Sequence, residues 1–149
     1  MAYWFNELPL TFVQSGGRVM TAERMDEGDR HYGSQHGKPG EAVAAIKEIG
    51  ADGLPFILHK LGRKNQPVVR WIQSCAFKCG VKYPFFANPD MQRAQAVTAL
   101  LALPSLPDGA LDQLQKLSSN PTNSIGVSAR YVLMANTNSD LKGPIAHFP

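Results

Sequence analysis

From residue 39 onward the apolar positions recur every three or four residues, the period of helices that each bury one face. Ala42, Val43, Ile46 and Ile49 form the first stripe, with Pro39 suited to the first turn and Gly50 to the stop. After Ala51-Asp52-Gly53 a second helix carries Leu54, Ile57, Leu58 and Leu61 on one face, holds Pro55 in its first turn and ends at Gly62. These two predict an antiparallel helical hairpin. Pro67 opens a third helix reaching Cys79, with Val68, Trp71, Ile72, Cys75 and Cys79 on one stripe and Gly80 as terminator.

Residues 81–87 hold Tyr83, Pro84, Phe85 and Phe86, an aromatic connector that Pro84 keeps from being helical. Asn88 and Pro89 then start a fourth helix that turns Ala96, Val97, Leu100 and Leu103 inward, until Pro104 closes it. A fifth carries Ala110, Leu111, Leu114 and Leu117. Beyond the break at Ser119-Asn120-Pro121, residues Thr122 to Met134 predict a sixth around Ile125, Ala129, Val132 and Leu133.

The flanks carry less pattern. Tyr3, Trp4, Phe5, Leu8 and Phe12 have the spacing of a short helix that docks aromatics on the body and caps the first exposed helix face. A mixed-charge run from Arg18 to Arg30 leads into the polar stretch from His31 to Lys38, read as a flexible linker. The expected organisation is an N-terminal segment and linker over 1–38, a helical repeat domain over 39–135, and a loose tail over 136–149.

The helical part repeats itself. Ala42-Val43, Ile46 and Ile49 overlay Ala96-Val97, Leu100 and Leu103, and Leu54, Leu58 and Leu61 then overlay Ala110, Leu114 and Leu117 with a slightly longer turn between them. Stacked helical hairpins leave this signature, because each unit buries its face on the next. The run from Ala45-Ile46 through Ile49-Gly50 and Leu54-Pro55 to Leu58 and Leu61 resembles the HEAT-repeat family, in particular bacterial HEAT-like proteins. Residues 93–117 look like a second unit and 122–134 like the first helix of a third. The resemblance implies an all-α fold, an α-α superhelix of about two and a half HEAT-like hairpins, interrupted by the inserted helix of residues 63–88. It also implies a non-catalytic protein-binding module or scaffold, since its motifs are packing motifs and specify no chemistry.

Composition changes this picture in two respects. Gly and Pro supply 13 and 11 residues, so helices must be short and long coiled coils are excluded. The net charge of +3 is unevenly placed: residues 1–52 carry five basic and eight acidic groups and residues 90–149 four of each, whereas residues 53–89 carry six basic and no acidic ones. Those six, Lys60, Arg63, Lys64, Arg70, Lys78 and Lys82, are interleaved with Trp71 and Tyr83. Basic groups neutralise phosphates and aromatic faces stack bases, so the stretch 60–82 is the candidate site for nucleic acid or another polyanion. The plainer reading is a solvated helix face whose aromatics lie in the core.

Other chemistry finds little purchase. His31, His36, His59, Cys75 and Cys79 lack the paired close spacing of a structural zinc site, so no metal is expected. Walker and dinucleotide-type glycine loops and the nucleophile elbow are missing from the sequence, and Asp26, Glu27 and Asp29 read as a hydrated surface run. No cofactor and no catalytic residue is expected. Cys75 and Cys79, one helical turn apart, are geometrically awkward for a disulfide and are expected as buried free thiols, which points to a reducing, cytoplasmic setting. Neither a membrane span nor a secretory signal is legible, though a mature fragment of an exported precursor would look the same. The expected partner is another protein, with nucleic acid as the alternative.

Overall fold

A computed structural model describes residues 5, 8, 11–13, 19–21, 39–64, 67–78, 89–120 and 123–138; for the strands and for residues 39, 69, 70, 72, 73, 76 and 77 it is the backbone that is described. Among the described residues Phe5 is helical, and two short strands, β1 (Thr11–Val13) and β2 (Val19–Thr21), are followed by six further helices: α1 (Pro39–Ile49), α2 (Leu54–Leu61), α3 (Pro67–Lys78), α4 (Pro89–Ala102), α5 (Asp108–Ser118) and α6 (Ser124–Thr137). Each of the six helices that the periodicity predicts from residue 39 onward is present. The boundaries at 39, 54, 67 and 89 fall at or beside prolines, because the fixed φ of proline suits a first helical turn and its missing N–H costs nothing there.

Gly50 ends α1 with φ +58, a left-handed conformation that an L side chain would adopt only with strain. It leads into a single 3-10 turn, Gly50–Gly53, whose tight geometry delivers the chain directly into α2. At the other end of the molecule α6 extends three residues past the expected Met134, to Thr137. Its N-terminus is capped by Asn123, whose Oδ1 accepts from the Gly126 N–H at 2.6 Å. Replacing Asn123 with alanine removes that acceptor and is expected to cost about 1 kcal/mol, read as a lowered urea midpoint at unchanged slope.

The centre of the fold is α4. It packs against α1, α2, α6 and β1, and from Gln92 to Ala102 every residue is buried. Ala94, Ala96, Ala99 and Ala102 let neighbours approach on several sides at once, so this helix is enclosed rather than amphipathic. The most extensive helix contacts are α5 with α6 and α2 with α4, followed by α4 with α6. The sequence pairs α1 with α2 and α4 with α5; those neighbours are joined by the 3-10 turn and by residues 103–107, while the closest packing is of α2 with α4, past the inserted α3, and of α5 with α6. Side chains of α1, α2, α4, α5 and α6 build one core, including Val43, Ile46, Ile57, Leu61, Val97, Leu100, Leu114 and Val132.

The N-terminal segment corrects one expectation and bears out part of another. Phe5 and Leu8 are fully buried in that core, and Phe5 meets Phe56 of α2 edge-to-face with ring centroids 5.3 Å apart, so this aromatic does dock on the body. Phe12, expected on the same helix, lies instead in β1, paired with Met20 of β2 in an antiparallel register that also matches Thr11 with Thr21 and Val13 with Val19. β1 contacts α4 and α6. Tyr3, Trp4, the mixed-charge run beyond Thr21, the His31 to Lys38 linker and the tail beyond 138 lie outside the described residues.

Candidate functional site

The predicted basic stretch separates into two parts. Lys60, Arg63 and Lys64 sit at the end of α2 and just past it, where cationic groups complement the negative end of the helix dipole. The Lys60 ammonium lies 5.2 Å from the centre of the Phe56 ring, and its pKa is held below the ordinary lysine value by burial and then by the charge of Arg63. Arg63 is turned inward at its tip: Nη1 donates to Gln92 Oε1 of α4 at 2.9 Å. Lys64 is exposed.

The second part is α3. Trp71 is 68% exposed and Val68 64%, with Lys78 exposed on the same helix and Cys75 only half-buried. Two expectations change here. Trp71 is not a core aromatic, and Cys75 is not a fully buried thiol. Arg70 belongs to α3, but its side chain, like Lys82, Tyr83 and Cys79, lies outside what the structure describes.

Sequence reasoning missed a polar hub beneath Arg63. Arg93, 5% exposed, donates from Nη1 to Asp90 Oδ1 at 2.5 Å and to Ser124 Oγ at 2.8 Å, and from Nη2 to the Arg63 carbonyl at 3.2 Å. One guanidinium thereby ties the chain leaving α2 to the first turns of α4 and α6. Gln92 and Gln95 are also buried on α4, as is Thr98, whose hydroxyl donates to the Ala94 carbonyl at 3.2 Å. The available signal was the weak amphipathicity of residues 89–102: a helix with small apolar residues all round is enclosed, and its polar residues must then find partners inside.

A groove of about 590 Å³ runs between α2 and α5. Leu54, Pro55, Leu58, Ala110 and Leu117 give it an apolar floor, and His59, Gln113 and Lys116 contribute polar edges. Its walls are the two helices that the repeat aligns, Leu54, Leu58 and Leu61 against Ala110, Leu114 and Leu117. Among the described residues no cluster of three or more His, Cys, Asp or Glu is placed to hold a metal, and no helix is long and apolar enough to cross a membrane. His31, His36 and Cys79 are not among those residues. No protein-family model, curated protein or solved structure matches the chain, so a functional reading draws on its own residues.

Proposed function

We propose that the chain is a non-catalytic, HEAT-like protein-binding module whose docking site is the groove between α2 and α5. The groove is the observation that carries this reading: apolar residues from two aligned helices form its floor while polar ones stand at its edge. The packing order is compatible with stacked helical units phased differently from the sequence pairing, α2 with α4 past the inserted α3 and α5 with α6, joined through α4 with α6 and α2 with α5. In that arrangement α2 and α5 lie side by side and share one surface. The occupant is a short protein segment with apolar anchors for Leu54, Leu58 and Leu117 and an acidic flank for Lys116 and His59.

Selecting peptides from a displayed random library on the full-length chain tests this. Ala51 and Gln113 are exposed groove residues, so tryptophan at both sites fills the groove without entering the core. Selected peptides are expected to be apolar with acidic flanks and to bind the Ala51→Trp, Gln113→Trp variant at least about tenfold more weakly, since the filled groove excludes their anchors. Peptides that bind both proteins equally would remove the groove from consideration.

A second reading, polyanion binding through Lys60, Arg63, Lys64, Arg70, Lys78 and Lys82 with Trp71 and Tyr83 as stacking groups, draws support from the exposed Trp71 within a stretch of one charge sign. Nucleic acid is its first partner by sequence.

A further inference from the structure

The exposed side of α3 has a composition that stacking on bases does not explain. Val68 and Trp71, three residues apart and therefore on one side of the helix, are the two most exposed large apolar side chains of the described chain. A base-stacking platform has use for the tryptophan and none for the valine. An aliphatic side chain next to an indole, on a short amphipathic helix, matches a surface that enters the boundary between headgroups and acyl chains, where tryptophan concentrates. The helix is twelve residues long, about 18 Å, too short to span a bilayer and long enough to lie on one.

Charge selects the kind of bilayer. Residues 53–89 hold six basic groups and no acidic one, while the rest of the chain is net negative, so the positive charge surrounds α3 in sequence on both sides. Lys64 before it and Lys78 at its end are exposed. We infer that α3 is an interfacial anchor that seats Val68 and Trp71 in the surface of an anionic lipid bilayer, with Lys64 and Lys78 on the headgroups. The inference rests on the polyanion reading and names the polyanion as a lipid surface. It is independent of the α2–α5 groove, which lies on other helices.

Both apolar side chains are exposed, so replacing them disturbs little of the fold. Full-length protein is to be sedimented with vesicles of phosphatidylcholine containing phosphatidylglycerol at equal amounts, and with phosphatidylcholine alone, at low and moderate salt. Binding is expected to the anionic vesicles, weakened by salt, and reduced about tenfold or more by Val68→Asn with Trp71→Gln. In a Trp4→Phe background, where Trp71 is the sole tryptophan, its emission is expected to shift to the blue on anionic vesicles. Circular dichroism checks that each variant keeps its helix content.

No sedimentation at low salt overturns the inference, as does sedimentation that the double variant leaves intact. A single-stranded oligonucleotide in a third arm separates the two polyanions: Trp71 quenching by the oligonucleotide, without vesicle binding, overturns the lipid surface and keeps the polyanion reading. Failure in all three arms overturns both.

Discussion

Gly126→Ala is expected to unfold the protein or to leave it destabilised by at least about 3 kcal/mol, although glycine to alanine within a helix ordinarily stabilises by about 1 kcal/mol. The sign reverses because of what a β-carbon would meet. Gly126 is in the first turn of α6, buried, and a Cβ there would lie 1.8 Å from the Asn120 carbonyl oxygen and 2.7 Å from its carbon. Those are backbone atoms, so no rotamer change relieves the overlap; the 119–123 connector itself would have to move. Moving it also disturbs the Asn123 cap on the Gly126 N–H, and with it the α5 and α6 pairing that is the most extensive in the fold. Gly109→Ala is the matched control: Gly109 is exposed in the first turn of α5, and nothing lies within 4 Å of the β-carbon. It is expected to be neutral or to stabilise by up to about 1 kcal/mol. Thermal and urea unfolding of the two variants measure both; a Gly126→Ala protein as stable as wild type would mean that the close approach of Asn120 is not part of the native state.

The same connector shows why part of the fold was legible in the sequence and part was not. Helix starts at Pro39, Pro67 and Pro89 and the stop at Gly50 are local decisions, made by the φ preferences of single residues, and the structure places them where the sequence does. Which helices then touch is a collective decision. The stripes on α1, α2, α4 and α5 say that each must bury a face without saying against which partner, and sequence adjacency suggested hairpins where the closest packing is instead of α2 with α4 and α5 with α6. At the N-terminus Phe5 is helical as its spacing suggests, and Phe12 misled for a related reason. Tyr3, Trp4, Phe5, Leu8 and Phe12 are spaced like a helix, but Thr11-Phe12-Val13 and Val19-Met20-Thr21 are rich in β-branched residues, and once α4 and α6 offered a surface that preference prevailed at Phe12. For the candidate site, one-signed charge over 53–89 is purely a sequence property and was visible at once. Exposure of Val68 and Trp71 was not, because the periodicity that marks a buried stripe marks an unburied one equally well.

Arg93→Met is expected to lower stability by about 2–4 kcal/mol, a fall in Tm of roughly 5–15 °C for a chain of this size. Methionine keeps the length and apolar stem of the side chain, so the change isolates the guanidinium from the packing of its methylenes. What is lost is a set of bonds to Asp90, Ser124 and the Arg63 carbonyl, and the carbonyl and hydroxyl are left with a poorer partner in a part-buried setting. Asp90 itself is 44% exposed and can be resolvated, which keeps the expected loss below that of breaking a fully buried ion pair. For the same reason Asp90→Asn should cost under about 1 kcal/mol, and the two effects together distinguish a hub from an isolated salt bridge. Arg93→Lys should behave more like methionine than like arginine, since a single ammonium cannot reproduce the fork that reaches α2's exit and the α4 and α6 starts at once. If Arg93→Met instead proved as stable as wild type, apolar packing would suffice at this position, and the register of α2, α4 and α6 would be held by their shared core alone.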